Sequence, residues 1–247
     1  METRVKAIWA GLAVLAAGAG GAALAAGQAA PTMDKAAIEK IVRDYILAHP
    51  EIIPEAIERL ETKQSREAIA ANRQLIETPY PGAEAGNPKG DVTLVVFFDF
   101  ACPYCRQGHA DVQKLIAADP KLRVVYRDFP VLSPASEEAA MAALSAADQG
   151  RYMRFHNAMF ESPGKVGRER TLGIARGVGL DEARTTAELT KPELKAEITR
   201  NLTLGRALGL TGTPSYIVGD RVLSGAVGLD RLKDAVAAAR TARNSAG

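Results

Sequence analysis

The chain has 247 residues, which at roughly 100–200 residues per domain makes one or two domains. A hydrophobic fraction of 47% and a charged fraction of 24% exclude a wholly disordered chain, a collagen and a polytopic membrane protein, and a net charge of +2 gives no broad basic footprint for nucleic acid. Two cysteines, Cys102 and Cys105, exclude a disulfide-stapled mini-protein and a site built from four cysteine ligands of one chain.

The first thirty residues read as a targeting segment. Arg4 and Lys6 precede an uncharged, Ala- and Gly-rich run from Ala7 to Ala26 that includes Trp9, and Ala23-Leu24-Ala25 is a small-x-small cleavage pattern. That three-part layout is a secretory signal peptide over residues 1–26. The competing reading is an uncleaved anchor, since twenty uncharged residues can cross a bilayer, although Ala and Gly make this run only weakly apolar. A cleaved leader implies export into an oxidising compartment.

Residues 34–78 read as a helical arm. Ile38, Ile41, Val42, Tyr45 and Ile46 recur at three- and four-residue steps, with Asp34 as N-cap and Pro50 as a stop. A second helix carries Ile53, Ile57 and Leu60 on one side and then turns polar. Such a stripe packs either on the body of its own chain or on further copies of itself. Residues 79–90, rich in Pro and Gly, form a linker.

The body begins at residue 91. Val92 to Phe98 is a continuous apolar run, the mark of a strand covered on both faces. Tyr104 to Ala118 has helical character and Leu122 to Tyr126 is a second strand, which together make a βαβ crossover. Residues 136–208 are helical in several pieces, the first capped by Ser136. In the stretch 209–242, Ser215–Val218 and Arg221–Ser224 are strands joined by Gly219-Asp220, followed by a helix over Leu229 to Arg240. The fold class is α/β.

The chemistry lies in Cys102-Pro103-Tyr104-Cys105. Residues three apart on a helix have β-carbons about 5–6 Å apart, and a disulfide asks for α-carbons about 4.4–6.8 Å apart, so the pair can bond and reopen with little backbone movement. As a staple it would add only roughly 2 kcal/mol in the chain-entropy model. A bond that stabilises little and exchanges easily serves better as a reagent. At the helix start, Cys102 would be the attacking sulfur, with its pKa lowered from about 8.5 into the range of roughly 3.5–7.5; Cys105, one turn in, would be more buried. Thr213-Pro214, just before a strand, is the second signal; a proline that opens a strand suits an edge.

Other uses of the pair are half of a zinc site, with His109 two turns on as a further ligand, or a Cu(I) site. A lone helix histidine is more often a packing residue. A purely structural oligomer would leave Cys102 buried and unreactive. His49 and His156 have no partner pattern.

Phe97-Phe98-Asp99-Phe100-Ala101-Cys102-Pro103-Tyr104-Cys105, together with Thr213-Pro214, Tyr126-Arg127-Asp128-Phe129-Pro130 and Arg151-Tyr152-Met153-Arg154-Phe155-His156, resembles the DsbA-like thiol–disulfide oxidoreductases of the thioredoxin superfamily. The resemblance runs from Asp91 to about Arg240. It implies a thioredoxin fold in two parts, 91–135 and 209–242, with an inserted helical domain over 136–208. It further implies Cys102 and Cys105 as catalytic residues, a cis Pro214 facing them, and Pro103, Tyr104, Thr213 and Pro214 as the substrate-binding residues. No cofactor and no metal follow from it. Its partners would be cysteine-containing protein substrates and a membrane redox partner that recycles the pair, with no nucleic acid. The arm, from Ile38-Glu39-Lys40-Ile41-Val42 through Glu55-Ala56-Ile57, is similar to the amino-terminal region of the suppressor-of-copper-sensitivity protein C family. Some members of that family trimerise there and isomerise disulfides, while others remain monomers; the resemblance implies a link to copper tolerance and leaves a homotrimer through the arm and a monomer both open. One departure stands out: relatives carry a buried acid six residues before the attacking cysteine, and this chain has Val96.

Overall fold

The computed structural model describes residues 34–245. The expected leader, with Trp9 and the Ala23-Leu24-Ala25 pattern, lies outside the described residues. Among the described residues no helix is long and apolar enough to cross a membrane. The chain divides into two units, one ending at Ile52 and one starting at Ile53.

In the first unit, α1 (Lys35–Ala48) begins where expected. The Asp34 carboxylate accepts the amide of Ala36 at 3.3 Å, satisfying one of the amides that a helix start leaves free. Its apolar stripe of Ile38, Ile41, Val42, Tyr45 and Leu47 is exposed, and the helix buries no residue.

All but the first residue of α2 (Ile52–Glu77), one continuous helix of 26 residues, belongs to the second unit. The helix ends at Glu77, beside the expected end of the arm at 78. Ile69 and Ile76, in the last turns of α2, are buried in the body. The periodicity of the polar stretch after Glu61 hid this, because only two large apolar side chains anchor it. The stretch expected to be a plain linker contains β1 (Glu84–Gly86).

Four longer strands follow: β2 (Val92–Phe98), β3 (Leu122–Asp128), β4 (Ser215–Val218) and β5 (Arg221–Ser224). The sheet order is β1-β3-β2-β4-β5. β2 and β3 run parallel, and every other pairing is antiparallel. The crossover between β2 and β3 is α3 (Pro103–Ala118). β2 lies in the middle of the sheet, and its alternating side chains enter two cores. Leu94, Val96 and Phe98 join one, with Val112 and Leu115 of α3; Val95 and Phe97 join the other, with Ile69 and Ile76 of α2. Burial on both faces is why the run is apolar without alternation.

Between β3 and β4 come α4 (Pro134–Asp148), α5 (Tyr152–Glu161), α6 (Arg168–Gly177), α7 (Glu182–Glu188) and α8 (Pro192–Ala207), and the chain ends on α9 (Leu229–Ser245). The cap of α4 is Ser133 rather than Ser136: the Ser133 hydroxyl accepts the Ser136 amide at 3.1 Å, and Pro134 takes the first helical position, where a missing amide costs nothing. Pro214 precedes an interior strand, not an edge. It stands just outside β4 and removes no ladder amide.

Candidate active site

The end of β2 and the start of α3 place the cysteines. Cys102 is the N-cap of α3, with extended backbone angles, and Pro103 is the first helical residue. The carbonyl of Cys102 accepts the amides of Cys105 at 3.1 Å and Arg106 at 3.3 Å, so the first turn is wound tightly around the pair. Asp99 shapes the turn before it. Its carboxylate accepts the amide of Ala101 at 2.7 Å and those of Val131 and Leu132 at 2.9 and 3.0 Å. Arg106 donates to the carbonyl of Phe160 and, at 3.0 Å, to that of Ser162, which ties the first turn of α3 to the end of α5.

Thr213-Pro214 comes to the same place from the other end of the body. The peptide bond between them is cis, and the Cys102 sulfur lies 3.2 Å from the Thr213 carbonyl oxygen, positioned as its donor. Gly108, in the second turn of α3, allows this approach. A β-carbon there would meet the Tyr216 hydroxyl and lie 3.4 Å from Pro214 Cγ. The sequence marked Gly108 only as a glycine in a helix, which costs roughly 1 kcal/mol relative to alanine; that cost was the available signal.

The two cysteines face different surroundings. Cys102 is 5% exposed and Cys105 2%, so Cys102 is more covered than a helix-terminal position suggested. Cys102 still borders an open groove of about 540 Å³ with Pro103, Arg106, Ser133, Lys165 and Val166. Tyr104, Val131 and Leu132 are exposed. Cys105 points inward, and burial pushes its thiol well up from the usual range. It borders a small apolar chamber of about 10 Å³ with Val96, His109, Tyr126, His156 and Tyr216.

Of the histidines, His109 lies with Cys105 rather than with Cys102. Burial holds His109 below the usual imidazole range, and holds His156 well below it. The two rings are 5.3 Å apart. Among the described residues, no group of three or more His, Cys, Asp or Glu side chains is arranged to hold a metal ion, so the zinc half-site finds no second half there. Val96 is buried, and the only acid near it in sequence, Asp99, spends its oxygens on three backbone amides. The Asp128 carboxyl, fully buried at the end of β3, is pushed up to about 8 by burial and accepts the Tyr152 hydroxyl at 3.0 Å.

A family model for the DSBA-like thioredoxin domain matches residues 93–237, and one for the copper resistance protein ScsC N-terminal domain matches residues 34–67. A thioredoxin-like oxidoreductase from Silicibacter pomeroyi DSS-3 is 46% identical, with 65% of this chain and 94% of that chain covered at a TM-score of 0.63. Proteus mirabilis ScsC in a transitional conformation is 26% identical, with 83% and 95% covered at a TM-score of 0.65. A Na(+)/H(+) antiporter NhaA 1 from Salinispora arenicola is 30% identical over 156 residues, which are 62% of this chain and 24% of that protein. The chain spans about a quarter of the length of the curated antiporter relatives it matches.

Proposed function

The chain belongs to the DSBA-like thioredoxin domain family, and from that premise we propose that it carries out thiol–disulfide interchange on cysteine-containing proteins in the periplasm, as a disulfide isomerase and oxidoreductase linked to copper stress. The observation that carries this reading is the arrangement of Cys102: a sulfur at the N-cap of α3, bordering an open groove, 3.2 Å from the Thr213 carbonyl. A residue in that position can meet a substrate sulfur without any change in the sheet.

In the proposed reaction the Cys102 thiolate attacks one sulfur of a substrate disulfide. The Cys102–substrate bond forms, the substrate bond breaks, and the second substrate sulfur leaves as a thiolate. A different substrate thiolate can then attack the mixed disulfide, which frees Cys102 and yields an isomerised substrate with no net redox change. When none does, Cys105 attacks Cys102, and the substrate leaves reduced while the protein pair becomes a disulfide. A membrane redox partner then resets the pair. Thr213 and Pro214 would hold an extended substrate segment beside the sulfur, with Tyr104 and Pro103 covering its flank. The exposed stripe of α1 supports a homotrimer through residues 34–67, which would present several copies of Cys102 to one substrate and raise its effective concentration.

The test is reactivation of a protein with scrambled disulfides by the full chain and by the full chain with Ile41→Asp and Tyr45→Asp. We expect reactivation by the first, and a loss of reactivation together with a smaller assembly in the second. Equal activity from both would make the arm irrelevant to catalysis. Rapid oxidation of reduced substrate without reactivation would make the protein an oxidase. Stoichiometric Cu(I) uptake with no exchange in either direction would replace the reading with a copper-binding one.

A further inference from the structure

Resolution of the mixed disulfide needs a step that Cys105 cannot perform alone. Its sulfur is buried and its thiol holds its proton at neutral pH, so the proton must leave before the sulfur can attack. The chamber behind it offers few acceptors. Val96 is hydrocarbon. Tyr126 and Tyr216 are phenols whose protons burial holds on. Asp99 faces the backbone amides named above. That leaves His109 and His156. Neither ring nitrogen of His109, nor Nδ1 of His156, has a hydrogen-bond partner among the described residues.

The two histidines differ in their way out. His156 is enclosed by aromatic rings, with Phe98 at 4.7 Å and Phe160 at 5.0 Å between ring centroids, and fully buried. His109 stacks on Phe160, and its Nε2, itself buried, lies 3.9 Å from Oε1 of Glu161, an exposed carboxylate that leads to solvent. His109 also follows Cys105 by four residues on α3, so their β-carbons are about 5–6 Å apart on one face. The chamber they share is about 10 Å³, about the least that admits one water molecule.

We propose that His109 is the proton-transfer residue for Cys105, receiving the thiol proton directly or through one water in the shared chamber and passing it to solvent beside Glu161. The proposal rests on the exchange reading above. In the resolving step, the Cys105 S–H bond breaks and the proton goes to the His109 ring. The sulfur keeps the electron pair and attacks Cys102, the Cys102–substrate bond breaks, and the substrate thiolate leaves with that bond's electrons. The two protein sulfurs end as a disulfide and the substrate sulfur ends reduced. In the reverse direction a protonated His109 returns the proton to Cys105 as it leaves. The groups that face His109 are Arg106 and Cys105 on its own helix, His156 and Glu161 from α5, Tyr126 from β3 and Tyr216 from β4. Burial keeps the ring neutral at neutral pH, the state that can accept.

The test uses the reduced full chain and an aromatic disulfide reagent whose released thiolate is coloured. The first release reports attack by Cys102; the second reports resolution by Cys105. His109→Gln is expected to leave the first phase within about twofold and to slow the second by about tenfold or more near pH 6.5, the order of effect of a positioned acid–base group. The gap should close as pH rises and hydroxide takes the proton. A second phase within about twofold of the parent at every pH overturns the proposal. No first phase in the parent chain overturns the exchange reading instead. Far-ultraviolet circular dichroism and a cooperative denaturant transition check that each variant is folded, and His109→Asn, a smaller side chain, repeats the measurement should the glutamine disturb packing. The parent chain supplies one more check: its second phase, not its first, should slow in heavy water, and equal second-phase rates in both solvents overturn the proposal as well.

Discussion

The two halves of α2 belong to one unbroken helix and meet opposite fates. Ile53, Ile57 and Leu60 in the first half are exposed, Ile57 at 52%, while Ile69 and Ile76 in the second are each 1% exposed. Helical spacing is the same in both. The difference lies in what surrounds them. The second half rests on the face of the sheet that carries Val95, Phe97, Val125 and Ile217, and its carbonyl end is held by Arg127. That guanidinium, buried at the end of β3, donates to the carbonyls of Leu75, Ile76 and Thr78, at 3.2 Å for Ile76, and to Asn201 Oδ1 at 3.1 Å. It also pairs with Glu197 at 3.4 Å. Carbonyls that a helix end leaves without partners are thereby satisfied by one side chain. Periodicity states which face of a helix is apolar; it does not state whether anything covers that face.

The largest effect that would break this contrast comes from Arg127. Arg127→Leu strips the partners from the helix end and leaves Glu197 with only Arg200, which bonds it at 2.9 Å. Breaking a buried pair on one side costs about 3–5 kcal/mol. We expect a loss of that order in denaturant unfolding, with faster amide exchange over residues 68–77 than over 53–60 relative to the parent chain. A loss below about 1 kcal/mol would mean that Ile69 and Ile76 hold the second half without the arginine.

Much of the body was legible before any coordinates. The strand over Val92 to Phe98, the helix behind the cysteines and the Gly219-Asp220 hairpin all follow from local rules. So do Cys102 at a helix N-cap and Cys105 one turn deeper. The cis bond at Pro214 and its place against Cys102 followed from the resemblance, because the dipeptide alone does not fix the isomer. What escaped was long-range. The anchoring of α2 depends on Arg127, about fifty residues away, and β1 depends on a free edge of β3. His156 had no pattern because its partners are on β2, β3 and α3, and His109 looked like a lone helix histidine because the chamber it borders is lined by five separate elements.

A smaller effect sharpens the contrast through pH. Asp128 follows Arg127 at the end of β3 and is pushed up to about 8, against about 4 for an exposed carboxyl. Between these values the folded protein binds a proton that the unfolded chain has released. Stability conferred by the protonated carboxyl is complete below about pH 4 and is lost as pH rises through about 8, at up to about 1.4 kcal/mol per pH unit. Asp128→Asn, which keeps the shape and cannot ionise, should flatten that part of the profile in denaturant midpoints measured from pH 4 to pH 8. A parent profile already flat across that range would place the burden on other groups.

The smallest expected effect tests the exposed half. In dilute solution Ile57→Ala should change unfolding free energy by less than about 0.5 kcal/mol, the usual range for a surface change, whereas removing the same atoms from a covered site costs about 2–5 kcal/mol. If copies of the chain cover the stripe, its burial is linked to association, and stability then depends on protein concentration. The proposed assembly therefore predicts that the Ile57→Ala penalty grows as the chain is concentrated. A penalty near zero at every concentration would leave the stripe uncovered and remove the arm from the account of isomerisation. A large penalty already present in the dilute monomer would mean that the first half of α2 finds cover within its own chain, and the contrast between its halves would disappear.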